Sequence, residues 1–231
     1  MFLNNYRPVS VLPVFSKILE RLIYNRLLSF INKHNILYKY QFGFRKGHST
    51  NMALILLVDK IMSAVDNGDF VIGVFLDLSK AFDTVNHQIL LSKLYKYGVR
   101  GIAHNWFENY LLSRSQCVYY TDHVLTERQI TCGVPQGSIL DPLLFLLYIN
   151  DMVNVSSLLF SILFADDTNL FYHGKNLDSV MQTMNTELKK VTEWLCVNKL
   201  SINVDKTNYI IFTSGKKKCV QHLIFVLTMI M

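Results

Sequence analysis

The sequence predicts an α+β fold in which amphipathic helices pack on a buried sheet. Three observations carry that expectation. The continuous apolar run Phe70–Leu76 leads directly into Asp77 and suits a strand covered on both faces, and the apolar run Leu158–Phe164, which includes Ser161, has the length of a buried strand and leads through Ala165 into Asp166. Apolar residues at helical spacing recur in separate segments before, between and after those runs. The second run turns through Ala165-Asp166-Asp167 into another strand-like stretch, Thr168–Tyr172. Asp is a favoured turn residue, but two carboxylates side by side repel each other. A divalent cation that prefers oxygen ligands, such as Mg²⁺, would remove that conflict.

With 231 residues the chain has room for one large domain or two small ones. Hydrophobic residues make up 51%, which excludes a disordered chain, and a net charge of +6 is compatible with a polyanionic partner. Cys117, Cys132, Cys196 and Cys219 show neither C-x-x-C pairing nor a histidine at zinc-ligand spacing, so buried reduced thiols of an intracellular protein are expected. Arg7, Pro8 and Pro13 interrupt any signal-peptide pattern. The apolar run Leu223–Met231 is too short to span a bilayer. The expectation is an intracellular protein, in cytoplasm, nucleus or both, without a membrane partner. Nothing in the chain signals an oligomeric state.

In chain order, residues 4–13 read as loop or extended chain, punctuated by Pro8 and Pro13. Ser16 is a candidate cap for a helix carrying Ile18, Leu19, Leu22, Ile23, Leu27, Phe30 and Ile31, with Lys17, Glu20, Arg21 and Arg26 facing elsewhere. Gly43 and Gly47 bracket Arg45 and Lys46 in a bent basic loop, either solvated or a phosphate contact. Ser49 or Thr50 caps a helix with Leu54, Leu57, Val58, Ile61, Met62 and Val65 on one face. After the first strand and Asp77, Asp83 (read as an N-cap) or Thr84 opens a helix with Ile89, Leu90 and Leu94. A further helix covers Ile102–Leu112, with Trp106, Phe107 and Tyr110 as core.

Gln116–Tyr120 and Thr126–Cys132 form a hairpin turning near Asp122-His123, followed by the shaped loop 133–140. Asp141 as N-cap and Pro142 at the first helical position start an almost wholly apolar helix through Ile149. Leu177, Val180, Met181, Met184, Leu188, Val191 and Leu195 mark a long amphipathic helix. Two short strands then flank the turn Asp205-Lys206-Thr207. If the strands bearing Asp77 and Asp166-Asp167 are antiparallel neighbours, three carboxylates meet at one edge. That is the arrangement a two-metal site needs, with ions roughly 3.5–4 Å apart activating a hydroxyl and stabilising a leaving phosphate.

Six stretches taken together resemble the reverse transcriptase domain of non-LTR (LINE-type) retrotransposons, most closely the jockey-like group. They are Asn5–Ser10, Gln41–Thr50, Phe75–Val85, Gly133–Ser138, Phe164–Asp167 and Leu200–Thr207, in the family's order and covering residues 4–213. The resemblance implies a right-hand polymerase fold: a fingers-like part over 1–70, and a palm with a βαββαβ sheet over 71–213 that carries a helical insertion at 98–115. It implies an RNA-directed DNA polymerase acting on an RNA template, a DNA primer and dNTPs, with two Mg²⁺ ions or Mn²⁺ in their place. Asp77 and Asp166 resemble the metal-binding aspartates, and Asp167 the adjacent third carboxylate. Phe82 matches the ring beneath the incoming sugar, where bulk would clash with a 2′-OH. Gln136 and Gly137 resemble the loop at the nascent base pair. Arg45 and Lys46 resemble residues that hold the triphosphate. Lys206 is placed as a general acid near the leaving pyrophosphate, with a plain surface lysine as its alternative.

The chain departs from the family at Asp141, where Gly is usual. Its charge is expected to weaken template binding while still capping the helix. The family continues beyond Phe212 into a primer-gripping hairpin and a thumb, whereas this chain runs into Lys216-Lys217-Lys218 and an unpatterned tail. The expectation is therefore fingers and palm with the thumb missing and residues 214–231 outside the fold. A catalytically silent remnant that folds and binds RNA is the alternative function, and a metal-dependent nuclease fits less well.

Overall fold

The computed structural model describes residues 9–120 and 123–214. The chain begins with helices α1 (Val14–Lys33) and α2 (Thr50–Asp66), then strands β1 (Phe70–Leu76) and β2 (Leu78–Ser79). Helices α3 (His87–Lys96) and α4 (Ile102–Leu112) precede four short strands, β3 (Ser115–Gln116), β4 (Tyr119–Tyr120), β5 (His123–Val124) and β6 (Arg128–Gln129). Helix α5 (Asp141–Ile149), strands β7 (Phe160–Phe164) and β8 (Asp167–Gly174), helix α6 (Leu177–Val197) and strands β9 (Ser201–Ile202) and β10 (Asn208–Phe212) complete it. The mixed helix-and-sheet class is as expected. The chain divides into two units: one comprises residues up to Leu37 with Lys80–Asn150, the other Tyr38–Ser79 with residues from Asp151 onward.

The second unit is organised by a four-stranded sheet in the order β10-β1-β8-β7, antiparallel at each pairing. Its central strand β1 is the apolar run read from the sequence, with Ile72 and Val74 wholly buried. Helix α6 packs on β1 and β8 through Val180, Met184, Leu188, Val191 and Leu195, the expected stripe. Ser49 caps α2 by accepting from the Met52 amide at 3.3 Å. The buried face of α2 differs from the one expected. Ala53, Leu56, Leu57 and Ile61 turn onto the cluster of Phe42, Ile162 and Phe171, while Leu54, Val58 and Met62 are exposed. A helix this rich in apolar residues has no single stripe, and the aromatic rings it meets decide which side turns inward. β9 and β10 do not pair with each other; β9 joins β2 and β10 joins β1.

In the first unit α5 is buried on all sides from Leu143 to Ile149, as its composition demands, and α3 packs on α4 and α5. Phe107 is core, and Trp106 stacks on Tyr110 at 5.1 Å. The short ladders β3–β6 and β4–β5 form the expected hairpin, whose turn at 121–122 lies outside the described residues. The stretch before Val9 and the tail after Ser214 also lie outside them. Cys117, Cys132 and Cys196 are free and exposed rather than buried, while Cys219 falls in that tail.

Three helix starts differ from expectation. Pro13, not Ser16, precedes α1. Asn86, not Asp83, caps α3, accepting from the Ile89 amide at 3.1 Å. Asp141 is the first residue of α5 rather than its cap, because its own amide is taken by Ser138 Oγ at 3.0 Å. Glu20 is also reversed. Instead of facing solvent it is buried, accepting from Tyr110 Oη at 2.8 Å and from the Ile139 amide at 2.8 Å. Glu20→Ala would strand the Ile139 amide and leave Tyr110 Oη only Ser138 Oγ, at 3.4 Å, so it is expected to lower unfolding stability by roughly 1–3 kcal/mol, read as a shift of the urea midpoint.

Candidate active site

The carboxylates come together through strand register. β1 and β8 pair with Phe70 opposite Gly174 and Leu76 opposite Thr168, so one further step sets Asp77 level with Asp167. On the other side of β1 the pairing with β10 ends at Phe75 opposite Asn208, and Lys206 lies in the turn just before β10, between Asn203 and Thr207. The backbone of Asp77 is pinned there. Its amide donates to Thr207 Oγ1 at 3.3 Å, and its carbonyl accepts from the Asn203 amide at 2.8 Å.

β7 pairs with β8 up to Phe164 opposite Asp167, which leaves Ala165 and Asp166 as a two-residue turn. Such turns require a positive φ at one or both central residues, and Ala165 has φ +57°. Glycine is the usual occupant; an alanine there costs roughly 1 kcal/mol. The segment before the basic loop braces this turn. Phe42 donates its amide to Leu163 O at 2.8 Å, and Leu163 donates to Tyr40 O at 3.0 Å. Gly43 lies so close that a Cβ on it would stand 2.1 Å from the Ala165 nitrogen.

Partial burial, and then the charges of Asp166 and Asp77, hold the Asp167 carboxyl above the usual carboxylate range. None of the three carboxylates forms an ion pair among the described residues. An all-oxygen, triply acidic donor set fits a hard cation such as Mg²⁺ or Mn²⁺. Among the described residues no trio of His, Cys, Asp or Glu stands closed at metal-ligand geometry. The register brings these carboxylates to one edge without closing them into a cage. Lys206 is exposed in the turn between Asn203 and Thr207.

Arg45 and Lys46 lie in the loop that follows Gly43. Arg45 Nη1 donates to Tyr38 O at 3.0 Å and Gln41 O at 3.1 Å, and burial lowers the pKa of its guanidinium. Part of its bonding capacity therefore shapes the loop. Lys46 is exposed.

The remaining predicted residues are neighbours within the first unit. Phe82 stacks on Phe145 at 4.3 Å, and its carbonyl accepts from the Val134 amide at 3.0 Å. Gln136 Nε2 donates to Asp83 Oδ1 at 2.7 Å. This is the contact Asp83 makes instead of capping a helix. Gly133, with φ +83°, sits where a Cβ would be 2.7 Å from Asp83 O, so only glycine lets the two loops touch. Gly137 has φ +96° beside Gln136, whose carbonyl accepts from the Ser10 amide at 2.9 Å. Phe82, Gln136 and Gly137 thus belong to one loop pair, 82–86 against 133–138.

Asp141 lies beneath that loop pair's helix start. It is buried, its Oδ1 has no hydrogen-bond partner, and burial, then Asp83, then Glu20 push its carboxyl up to about 8. It is therefore largely protonated at neutral pH, and the charge expected to weaken template binding is mostly absent there. Sequence reasoning assigned no role to Gln41, Asn203 or Thr207; the only signal for them was their place inside the motif stretches.

Comparison with known proteins follows the same line. The family model described as reverse transcriptase (RNA-dependent DNA polymerase) matches residues 3–227. The chain is 35% identical, over 92% of its length, to the probable RNA-directed DNA polymerase from transposon X-element of Drosophila melanogaster. It is 32% identical, over 94% of its length, to the RNA-directed DNA polymerase from mobile element jockey of the same fly. In each case it spans 24% of the relative, about a quarter of that protein. Among solved structures, a Candida tropicalis telomerase in complex with a telomeric RNA fragment matches with a TM-score of 0.60 at 14% identity, covering 87% of this chain and 34% of that one. At that identity the likeness shows the shared fold.

Proposed function

Because the chain belongs to the reverse transcriptase (RNA-dependent DNA polymerase) family, we propose that it is the RNA-directed DNA polymerase domain of a non-LTR mobile element, extending a DNA primer on an RNA template with dNTPs. The observation that carries this reading is the convergence of Asp77, Asp166 and Asp167 on one edge of the antiparallel sheet. These three would hold two Mg²⁺ ions, which supply charge neutralisation for in-line attack of a primer 3′-OH on the α-phosphate.

The chain's own groups do the positioning. Lys206, in the turn whose Asn203 and Thr207 hold the Asp77 backbone, is suited to give a proton to the leaving pyrophosphate. Arg45 and Lys46 are assigned to the triphosphate, and Gln136 and Gly137 to the nascent base pair. In this reading residues 1–70 act as fingers and 71–213 as palm. The partners are RNA, primer and dNTPs, held largely through phosphates, so binding weakens as salt rises. No helix of the described residues is long and apolar enough to cross a membrane.

RNA-templated primer extension tests the reading: products should appear with Mg²⁺ or Mn²⁺ and disappear with excess chelator. Phe82 supplies a second test. Its ring is fixed by Phe145, and in this role it bars a 2′-OH by bulk. Phe82→Val is expected to reduce discrimination against ribonucleotides roughly tenfold or more, measured as the ratio of kcat/KM for dNTP and NTP.

A further inference from the structure

We propose that Gln41 is a positioning residue for the catalytic carboxylates: its side-chain carbonyl and the bare backbone of Gly43 clamp the Ala165–Asp166 turn in its left-handed conformation. The inference rests on the polymerase reading for its functional consequence and on geometry alone for the clamp.

Gln41 is 1% exposed. Its Oε1 accepts from the Ala165 amide at 3.0 Å and from the Gly43 amide at 2.9 Å. One oxygen thus ties the hairpin turn to the loop beside it. The bond falls on the turn residue that needs help, because Ala165 is the alanine at φ +57°. A left-handed alanine persists only where its surroundings over-determine it. Two further hydrogen bonds do so, from the Phe42 amide to Leu163 O and from the Leu163 amide to Tyr40 O, which together make the parallel bridge between Gln41 and Leu163. Gly43 completes the clamp by its lack of a side chain. A Cβ there would meet the Ala165 nitrogen at 2.1 Å and the Phe164 carbonyl carbon at 2.9 Å, both backbone atoms that cannot swing aside.

The consequence follows from the chain's connectivity. Asp166 is the next residue after Ala165, and Asp167 the one after that. Their carboxylates repel each other and Asp77, so the turn carrying them is pushed toward conformations that spread the charges. A rigid turn holds them at one edge; a loosened turn does not. Misplacing reacting groups by about 1 Å can cost roughly 10²-fold in rate, so a bond to the turn's amide acts on catalysis without touching substrate.

The test compares wild type with Gln41→Met, which keeps the volume and removes the acceptor, and Gln41→Glu, which keeps an oxygen at the same position. Two properties are read on the full chain: exchange of the ¹⁵N-labelled Ala165 amide with solvent, and affinity for Mn²⁺ by electron paramagnetic resonance. Gln41→Met is expected to exchange the Ala165 amide roughly tenfold faster or more and to bind Mn²⁺ roughly tenfold more weakly, with folding checked by an unchanged methyl NMR spectrum of the β1 core. Gln41→Glu, whose oxygen can still accept from the Ala165 amide, should restore slow exchange, which is the property read in that variant. In primer extension the Met variant should lose kcat with little change in KM for dNTP, a split that general loosening of the fold would not produce. Wild-type Mn²⁺ affinity and wild-type Ala165 exchange in Gln41→Met would overturn the clamp. Absence of Mn²⁺ binding in the wild type would instead defeat the polymerase reading. Ala165 exchange alone then decides the clamp: faster exchange in Gln41→Met supports it, and unchanged exchange overturns it.

Discussion

Asp166→Asn is expected to lose primer extension by roughly 10³-fold or more while folding as well as the wild type or better. The two halves of that result have one cause. Asp166 stands in a two-residue turn beside Asp167, whose carboxyl is held protonated to higher pH by partial burial and by the charges of Asp166 and Asp77. Neutralising Asp166 removes a repulsion from the folded state, so the melting temperature at pH 7 should hold or rise.

The sign follows from linkage. A carboxyl whose folded pKa is raised binds more protons folded than unfolded, so stability declines as pH rises through its window. Asp166→Asn should shrink that decline at Asp167. The same change removes an oxygen donor from the set suited to a hard cation, and the reaction loses the charge it relies on. A structural carboxylate would behave the other way: activity would track stability. Calorimetry between pH 4 and pH 8, run beside the extension assay, separates the two.

Asp141→Asn is expected to be the largest stabilising change in the chain above pH 8. Asp141 is 5% exposed, its Oδ1 has no partner, and its carboxyl is pushed from 3.8 up to about 8 by burial, then Asp83, then Glu20. Well below pH 4 the group is protonated folded and unfolded alike and contributes no slope. As pH rises from about 4 to about 8 the unfolded chain releases this proton while the folded chain keeps it, so stability falls. The slope approaches 1 kcal/mol per pH unit in order of magnitude, and above pH 8 the loss levels off.

Asparagine matches the shape and cannot ionise. Urea unfolding at pH 5, 7 and 9 should therefore show a falling series for the wild type and a flatter one for Asp141→Asn, with a gain on the order of 3 kcal/mol at pH 9. An equal slope in both proteins would place the buried charge elsewhere.

What the sequence made legible, and what it did not, divides on physical lines. The β1 run was readable because a strand covered on both faces has to be apolar nearly throughout, β7 because its apolar stretch has strand length in spite of Ser161, and the acidic residues that follow them marked the site. Register then did the rest: Leu76 opposite Thr168 leaves Asp77 nowhere to go but beside Asp167. Helix α6 was readable because one face meets the sheet and the other meets water.

Helix starts were not readable. The chain offers Asp83, Thr84 and Asn86 within four residues, and the choice of Asn86 depends on Gly133 backing onto Asp83. At Asp141 the cap pattern was present, but Ser138 had already taken its amide. The inward turn of Glu20 depends on Tyr110 and Ile139, residues remote in sequence. Within the site, the carboxylates were found because their chemistry is unusual at a turn. Gln41 was not, because a glutamine before an aromatic and a glycine carries no chemical signal until the hairpin it binds is in place.

The most direct test of the central claim is single-nucleotide incorporation by this chain on an RNA template annealed to a DNA primer, with Mg²⁺ and one dNTP at a time, beside an Asp166→Ala/Asp167→Ala control. The account predicts that only the complementary dNTP is added and that the control adds none while remaining folded. Incorporation that persists in the control would contradict the assignment of catalysis to the Asp77, Asp166 and Asp167 edge. A folded wild-type chain that adds no nucleotide under any metal condition would contradict the polymerase reading of this domain.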